Sequence, residues 1–411
     1  MKPITLLLPE QKTVSIDELT QLLSDAGRAT RPRPFAPELV KLAGAFSEKL
    51  LGDQAARDYP ELQVLGYWLR PAALLEMQKE LTGKPGLMTV PQGLVFHIPP
   101  GNVDTLFAYS LVMSLLCGNA NIVRMPSETG KAAALLLNIL KELIATASDG
   151  IKNQQLIISY DHDADITEAI SQHVNLRVIW GGDTTVNAIR QIPLSPLASE
   201  LVFPDRFSWS AIHTGSYAAL KEDGRQKLAE QYFNDLFWFD QAGCASPRVI
   251  VWCGQSDAPL TEDFYTRVTK VAETKKWKLD LGGNAAKQTR NYAAMADQPI
   301  THKRDFGSAL TVFSFKNMGG LKALRANPCF GGTLFEIIVA QLPDIAPAVE
   351  RRDQTLTCFG FEPTEVEQLA LQLNGCGFDR IVPIGQALAF DTIWDGHNLL
   401  QSFTRLVKIQ R

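Results

Sequence analysis

Several features are scarce or missing in this chain of 411 residues, and each absence closes off a class of protein. The six cysteines stand at 117, 244, 253, 329, 358 and 376, with no Cys-x-x-Cys pair. Together with only six histidines they form no cluster at zinc spacing. A disulfide framework and a structural metal are therefore not expected, and the cysteine usage fits a reducing compartment, the cytoplasm. No apolar run is long enough to span a bilayer. The longest, residues 106–117, is closed by Gly118 and Asn119 and reads as a buried core helix. The apolar run Leu6–Leu8 is cut at once by Pro9, with no small-residue cleavage site, so no secretory leader is expected. Positive charge is not in excess: 40 Lys and Arg face 44 Asp and Glu, a net charge of −4. This argues against a nucleic-acid or anionic-membrane surface. Internal repeats and low-complexity tracts are also absent.

What is present is an ordinary globular composition, 45% hydrophobic and 20% charged, in a chain too long for one compact core. Residues 1 to about 82 read as mostly helical, with Ser15 capping a first helix and prolines opening two more at Pro37 and Pro71. From Gly93 the pattern becomes strand–turn–helix–strand. Leu94–Ile98 is a short apolar strand ended by Pro99, Pro100 and Gly101. Asn102 stands at the turn, and Asn119–Arg124 returns as a strand. Such units build doubly wound parallel sheets, which bind ligands beyond the carboxyl ends of their strands. Asn102 and Arg124 both lie at such ends; each also reads as an ordinary helix cap or a solvated charge.

Further strands follow at Gln155–Tyr160 and Leu176–Trp180, with a helix between them. The second strand runs into Gly181, Gly182, Asp183 and Thr184, opening a helix to about Ile192. Strand, Gly-Gly and helix N-terminus can hold a phosphate, because free N–H groups point at the anion; the same residues can be a tight turn and no more. A second stretch of α/β alternation begins after about Thr214. A helix over Tyr217–Trp238 leads to Cys244 in the sequence FDQAGCASPRV, followed by a strand over Val249–Cys253. Gly243 and Ala245 leave the thiol uncrowded, and Pro247 stops a helix from running through it. This is a place for a nucleophile, or for a buried small hydrophobe. The tail is expected to hold a loop with Trp394, Asp395 and Gly396, then a helix over Asn398–Leu406.

Four segments together resemble the aldehyde dehydrogenase superfamily and, within it, the acyl-CoA reductases of the bioluminescence fatty acid reductase type. They are residues 97–128 (HIPPGNV to MPSE), residues 178–190 (VIWGGDTTVNAIR), FDQAGCASPR around Cys244, and residues 379–405 in the tail. The resemblance implies an aldehyde dehydrogenase-like α/β fold with two doubly wound domains. The first, with the N-terminal helices, binds the cofactor over residues 1–210. The second, residues 211–384, is catalytic, and residues 385–411 pack back across the domains. It makes Cys244 the acyl-carrying nucleophile and Asn102 an oxyanion donor. Arg124, Gly181, Gly182, Asp183 and Thr184 become cofactor residues. It further implies NADPH as the hydride donor, with NADH left open by the nearby Glu128, and a homo-oligomer.

One departure stands out. Hydrolytic aldehyde dehydrogenases carry a Glu-Leu-Gly-Gly base motif, whereas this chain has Glu200-Leu201-Val202-Phe203. Reduction of a thioester needs no activated water. The resemblance thus points to reduction of an acyl-CoA or acyl-protein thioester to an aldehyde. Two alternatives stand beside it: a CoA-acylating aldehyde dehydrogenase running oxidatively, and an acyl-accepting subunit served by an acyl-protein synthetase.

Overall fold

A computed structural model describes residues 3–81, 86–101, 103–126, 129–255 and 258–410. The chain folds as two compact units. One comprises residues 1–204 with 390–411, and the other residues 205–389.

The first unit holds β1 (Ile4–Leu8), β2 (Lys12–Val14), β3 (Leu87–Pro91), β4 (Leu94–Ile98), β5 (Ala120–Met125), β6 (Gln155–Ser159), β7 (Leu176–Trp180) and β8 (Ser199–Phe203). Seven of these make one sheet in the order β2-β1-β6-β5-β4-β7-β8. The strands from β4 to β8 run parallel, and β1 adds antiparallel to β6. Every residue of β4 and β7 is buried. This follows from helices covering both faces, which is why these strands read as continuous apolar runs rather than alternating ones. Val95, Val123 and Val178 face one apolar cluster with the helix Leu106–Leu116, while Leu94, Phe96 and Ile122 face the other.

The second unit holds β9 (Phe207–His213), β10 (Pro247–Cys253), β11 (Ile300–Phe306), β12 (Leu310–Phe315), β13 (Thr333–Val339), β14 (Asp353–Phe359) and β15 (Arg380–Pro383). Its sheet runs β11-β12-β13-β10-β9-β14-β15, parallel except for β11. β10 lies at the centre, again buried on both faces, with Val249 and Val251 on one side and Ile250 and Trp252 on the other.

The tail returns to the first unit as a two-residue hairpin, β16 (Ile393–Trp394) and β17 (His397–Asn398), and then β18 (Thr404–Lys408). Asp395 and Gly396 form its turn with φ of 49° and 76°. Two successive left-handed residues are what a type I′ hairpin requires, and Asp-Gly supplies them at low cost. The tight turn explains the Trp-Asp-Gly triplet that the sequence left without a role.

Residues 1–82 are mostly helical, with Ile4–Leu8 and Lys12–Val14 added as strands; Ile4–Leu8 alternates buried and half-buried side chains and pairs with β6. Two expectations are corrected. The segment read as a helix over Tyr217–Trp238 is two helices, Thr214–Ala218 and Glu222–Phe237. The tail helix is only Leu399–Ser402, because Thr404–Lys408 pairs with β3 instead of continuing it. A helix over Leu281–Asp297 was not foreseen; its LGGNAAK opening hides the start. The first helix does open on Ser15, whose hydroxyl and Glu18 make a reciprocal capping box.

Candidate active site

Within the first unit a cleft of about 720 Å³ opens beyond the carboxyl ends of β4, β5 and β7. Pro99–Gly101 form one wall. Arg124 and Pro126 come from the end of β5, Asp161 and His162 from beyond β6, and Gly181, Gly182 and Thr185 from beyond β7. Parallel strands put their free ends here, so the cleft lies where such sheets bind nucleotides. The helix Asp183–Arg190 begins at its edge, with Gly182 as an N-cap that contributes no side chain. A helix N-terminus favours an anion placed before it.

Arg124 Nη2 donates toward the Tyr160 carbonyl at 3.4 Å and lies 3.3 Å from His162 Nδ1. Its guanidinium sits 4.6 Å from the Tyr160 ring centre, and its buried Nε has no hydrogen-bond partner. A guanidinium nitrogen without a partner among the described residues, a helix N-terminus at the edge and a volume in the range of small-molecule sites fit a phosphate-bearing nucleotide. Of the residues the sequence selected, Arg124, Gly181 and Gly182 line the cleft. Thr185 lines it where Thr184 was expected, and Asp183 is the first residue of the helix. Asn102 lies outside the described residues. The helix it was read as capping begins later, with Thr105 as its N-cap.

Below the cleft, His97 on β4 is fully buried. Its Nδ1 is 2.7 Å from Ser110 Oγ and its Nε2 3.0 Å from Asn121 Oδ1. Burial pushes its pKa down to about 4, so it stays neutral and acts as a strut between sheet and helix. Glu200 is also structural. On β8, opposite Arg177 of β7, it accepts from Arg177 at 2.5 and 2.8 Å and from Arg190 at 2.9 Å. Two guanidiniums thus hold the carboxylate of Glu200.

Within the second unit, Cys244 sits in a turn just ahead of β10, and its side chain is exposed. The approach is unusual. After the helix Glu222–Phe237, the residues Phe239, Asp240 and Gln241 take φ of 53°, 51° and 63°. Three consecutive left-handed residues, none of them glycine, cost about 1 kcal/mol each or more. The surroundings hold them there. Trp277 Nε1 donates to Asp240 Oδ1 at 3.0 Å, and Gly331 N–H donates to the Asp240 carbonyl at 3.0 Å. Gln241 is fully buried and makes four hydrogen bonds. Its amide nitrogen donates to the carbonyls of Pro247 (2.8 Å) and Thr333 (2.9 Å), and its amide oxygen accepts from the N–H groups of Gly332 and Thr333, both 3.0 Å. The turn that carries Cys244 is thus bolted to β10 and β13.

Gln241 and Arg248 escaped selection in the sequence. The one visible signal was Arg248, a charged residue opening an otherwise apolar strand. Four of the other cysteines are disfavoured as nucleophiles by burial. Burial raises the thiol of Cys253 to about 12 and that of Cys329 to about 11, and lifts those of Cys117 and Cys358 further. Cys376 is exposed on the loop after the helix Pro363–Leu373.

Two parallel-dominated sheets with interleaved helices, a nucleotide-sized cleft in one unit and a thiol presented at the start of the central strand in the other define an aldehyde dehydrogenase-like protein. Solved structures agree on the fold. An aldehyde dehydrogenase from Physcomitrella patens in complex with succinate superposes with a TM-score of 0.67 at 12% identity, covering 95% of this chain and 88% of that one. A Mycobacterium tuberculosis aldehyde dehydrogenase complexed with NAD+ gives 0.66 at 12% identity, covering 100% and 95%. Residues 77–406 match the acyl-CoA reductase (LuxC) family, and the chain belongs to that family and is an oxidoreductase. Among curated relatives, the long-chain acyl-protein thioester reductase of Aliivibrio fischeri is 23% identical over 389 residues, 91% of this chain and 74% of that protein. The protein of the same name from Photorhabdus laumondii subsp. laumondii is 24% identical over 329 residues, 77% of this chain and 63% of its own length. No helix among the described residues is long and apolar enough to cross a membrane.

Proposed function

We propose that the chain reduces an acyl thioester, presented as acyl-CoA or acyl-protein, to an aldehyde, with Cys244 as nucleophile and NADPH as reductant. The observation that carries this reading is the exposed Cys244 thiol on a braced turn, in a chain whose buried cysteines have raised thiol pKa values. In this reading Cys244 attacks the thioester carbonyl as a thiolate. The oxyanion is met by the Cys244 N–H and, as the family resemblance implies, by the Asn102 amide. Losing one such donor typically costs about 10²–10³ in rate. The leaving thiolate needs little acid help, and Cys244 holds the acyl group as a new thioester. The bound nicotinamide supplies hydride. Collapse of the resulting thiohemiacetal frees Cys244 and releases aldehyde. Glu200, held by Arg177 and Arg190, takes no part, which suits a reaction without activated water.

In the same reading the first unit binds the nucleotide. Arg124, Gly181, Gly182 and the start of the helix Asp183–Arg190 meet its phosphates, with Asp183 and Thr184 in that first turn. Arg124 favours NADPH, because its guanidinium suits a 2′-phosphate. All six cysteines are free thiols, in keeping with work in the cytoplasm. An acyl-protein synthetase is the partner that would supply acyl-protein.

The test is loss of reduced-nicotinamide absorbance with a panel of acyl-CoAs and an acylated carrier, wild type beside Cys244→Ala. Turnover that disappears in the variant is expected. A wild type that binds no nicotinamide nucleotide and turns over no thioester would overturn the reading and leave an acyl-accepting subunit.

A further inference from the structure

The turn that carries Cys244 closes over a buried cation. Arg248, the second residue of β10, is only 6% exposed. Among the described residues no carboxylate forms an ion pair with it. Its guanidinium is instead wrapped by the turn itself. Nη1 donates to the carbonyls of Gly243 (3.5 Å) and Ser246 (3.3 Å), and Nη2 to that of Gln241 (3.3 Å). Nε has no partner, and the Phe207 ring centre lies 5.9 Å away.

A buried guanidinium matched only by carbonyl dipoles is expensive. Burial lowers its pKa, and the largest influence opposing that is the negative charge of the Cys244 thiolate. Attraction between two charges is mutual, so the cation favours the thiolate as much as the thiolate favours the cation. The other groups facing Arg248 are Arg290 of the helix Leu281–Asp297, Cys329 ahead of β13 and Asp205 ahead of β9. Arg290 adds positive charge, Asp205 offsets part of it, and Cys329 stays a neutral thiol because burial raises it to about 11.

The carbonyl contacts also brace the turn. The Gly243 carbonyl accepts from the Ser246 N–H at 3.1 Å and, more distantly, from Nη1 at 3.5 Å, so turn and guanidinium together hold this peptide.

We propose that Arg248 is a positioning residue for the nucleophile: from beneath the turn its charge favours the Cys244 thiolate, and its contacts with the carbonyls of Gln241, Gly243 and Ser246 hold the turn that presents it. This rests on the reading of Cys244 as nucleophile, but not on which thioester it attacks.

The test is the pH dependence of alkylation of Cys244 by iodoacetamide. It is followed by mass spectrometry of the peptide that contains it, with the exposed Cys376 in the same protein as reference. Wild type, Arg248→Lys and Arg248→Met are compared over about pH 6 to 10. In wild type the Cys244 midpoint is expected at least about one unit below that of Cys376. Arg248→Met raises it by about one unit and slows alkylation near neutrality about tenfold, while Arg248→Lys keeps it within about half a unit.

A folded Arg248→Met protein with the wild-type midpoint would overturn the proposal. So would a wild-type Cys244 that titrates with or above Cys376, a comparison that stands even where the methionine variant does not fold. Alkylation needs neither thioester nor nucleotide. A lowered Cys244 midpoint in a protein without reductase activity would therefore defeat the proposed function and leave the role of Arg248 intact.

Discussion

The hydroxyl of Ser208, on β9, donates to the carbonyl oxygen of Cys244 at 2.7 Å and accepts from the Thr355 N–H of β14 at 3.3 Å. One fully buried side chain ties the Cys244 backbone to two strands of the sheet. Ser208→Ala leaves that carbonyl and that N–H without their partner. A loss of about 1–2 kcal/mol in unfolding free energy is expected, with slower acylation in a single-turnover burst. Unchanged stability and burst would show that the tie is dispensable.

Gln241 is the heavier bolt. Gln241→Leu keeps the volume but strands two carbonyls and two N–H groups inside the protein. Urea unfolding should show a loss of about 3 kcal/mol or more. Gln241→Glu keeps the acceptor and loses the donor, so it should fall between leucine and wild type.

Glu200→Gln separates two roles. As a structural anion, Glu200 contributes stability through Arg177 and Arg190, and its loss should lower the melting temperature while kcat/KM for thioester reduction stays within about twofold. A drop of about a hundredfold with stability unchanged would make it a catalytic base after all.

Acid should find His97. Its pKa is about 4 in the folded state against the ordinary 6.5, so the unfolded chain binds the extra proton across that window. Stability is then complete above about pH 6.5 and falls as pH drops toward 4, by up to about 3 kcal/mol from this group. His97→Phe removes that part of the slope. A denaturant midpoint with the same pH slope in both proteins would exclude the assignment.

Much of this was readable before any coordinates. Strands buried on both faces, such as Leu94–Ile98 and Pro247–Cys253, announce themselves as short apolar runs between breakers, and they carry both sites at their ends. What stayed hidden depends on pairing across long sequence separations. Ile4–Leu8 is a strand because Gln155–Ser159 is there to receive it. Thr404–Lys408 leaves its helix for Leu87–Pro91, some three hundred residues earlier. Arg248 and Gln241 gain meaning only when the turn around Cys244 is folded over them; in the chain they are a charge and an amide near a cysteine. Asp395-Gly396 was legible in principle, since Asp-Gly is a strong turn signal for a two-residue hairpin loop.

The first unit is closed by the last residues of the chain. Leu399, Leu400 and Phe403 are fully buried in its apolar cluster, Asn119 Nδ2 donates to the Phe403 carbonyl at 2.8 Å, and Tyr109 donates to the Asp391 carbonyl at 2.6 Å. During synthesis, residues 205–389 emerge whole and can fold as they leave the ribosome. The half built around the cleft must wait, its core open on one side, until residues 390–411 have been made. A chain lacking residues 390–411 would keep every strand of both seven-stranded sheets but lose Leu399, Leu400 and Phe403 from the first unit's core, so the two units differ in how much of the sequence each one needs.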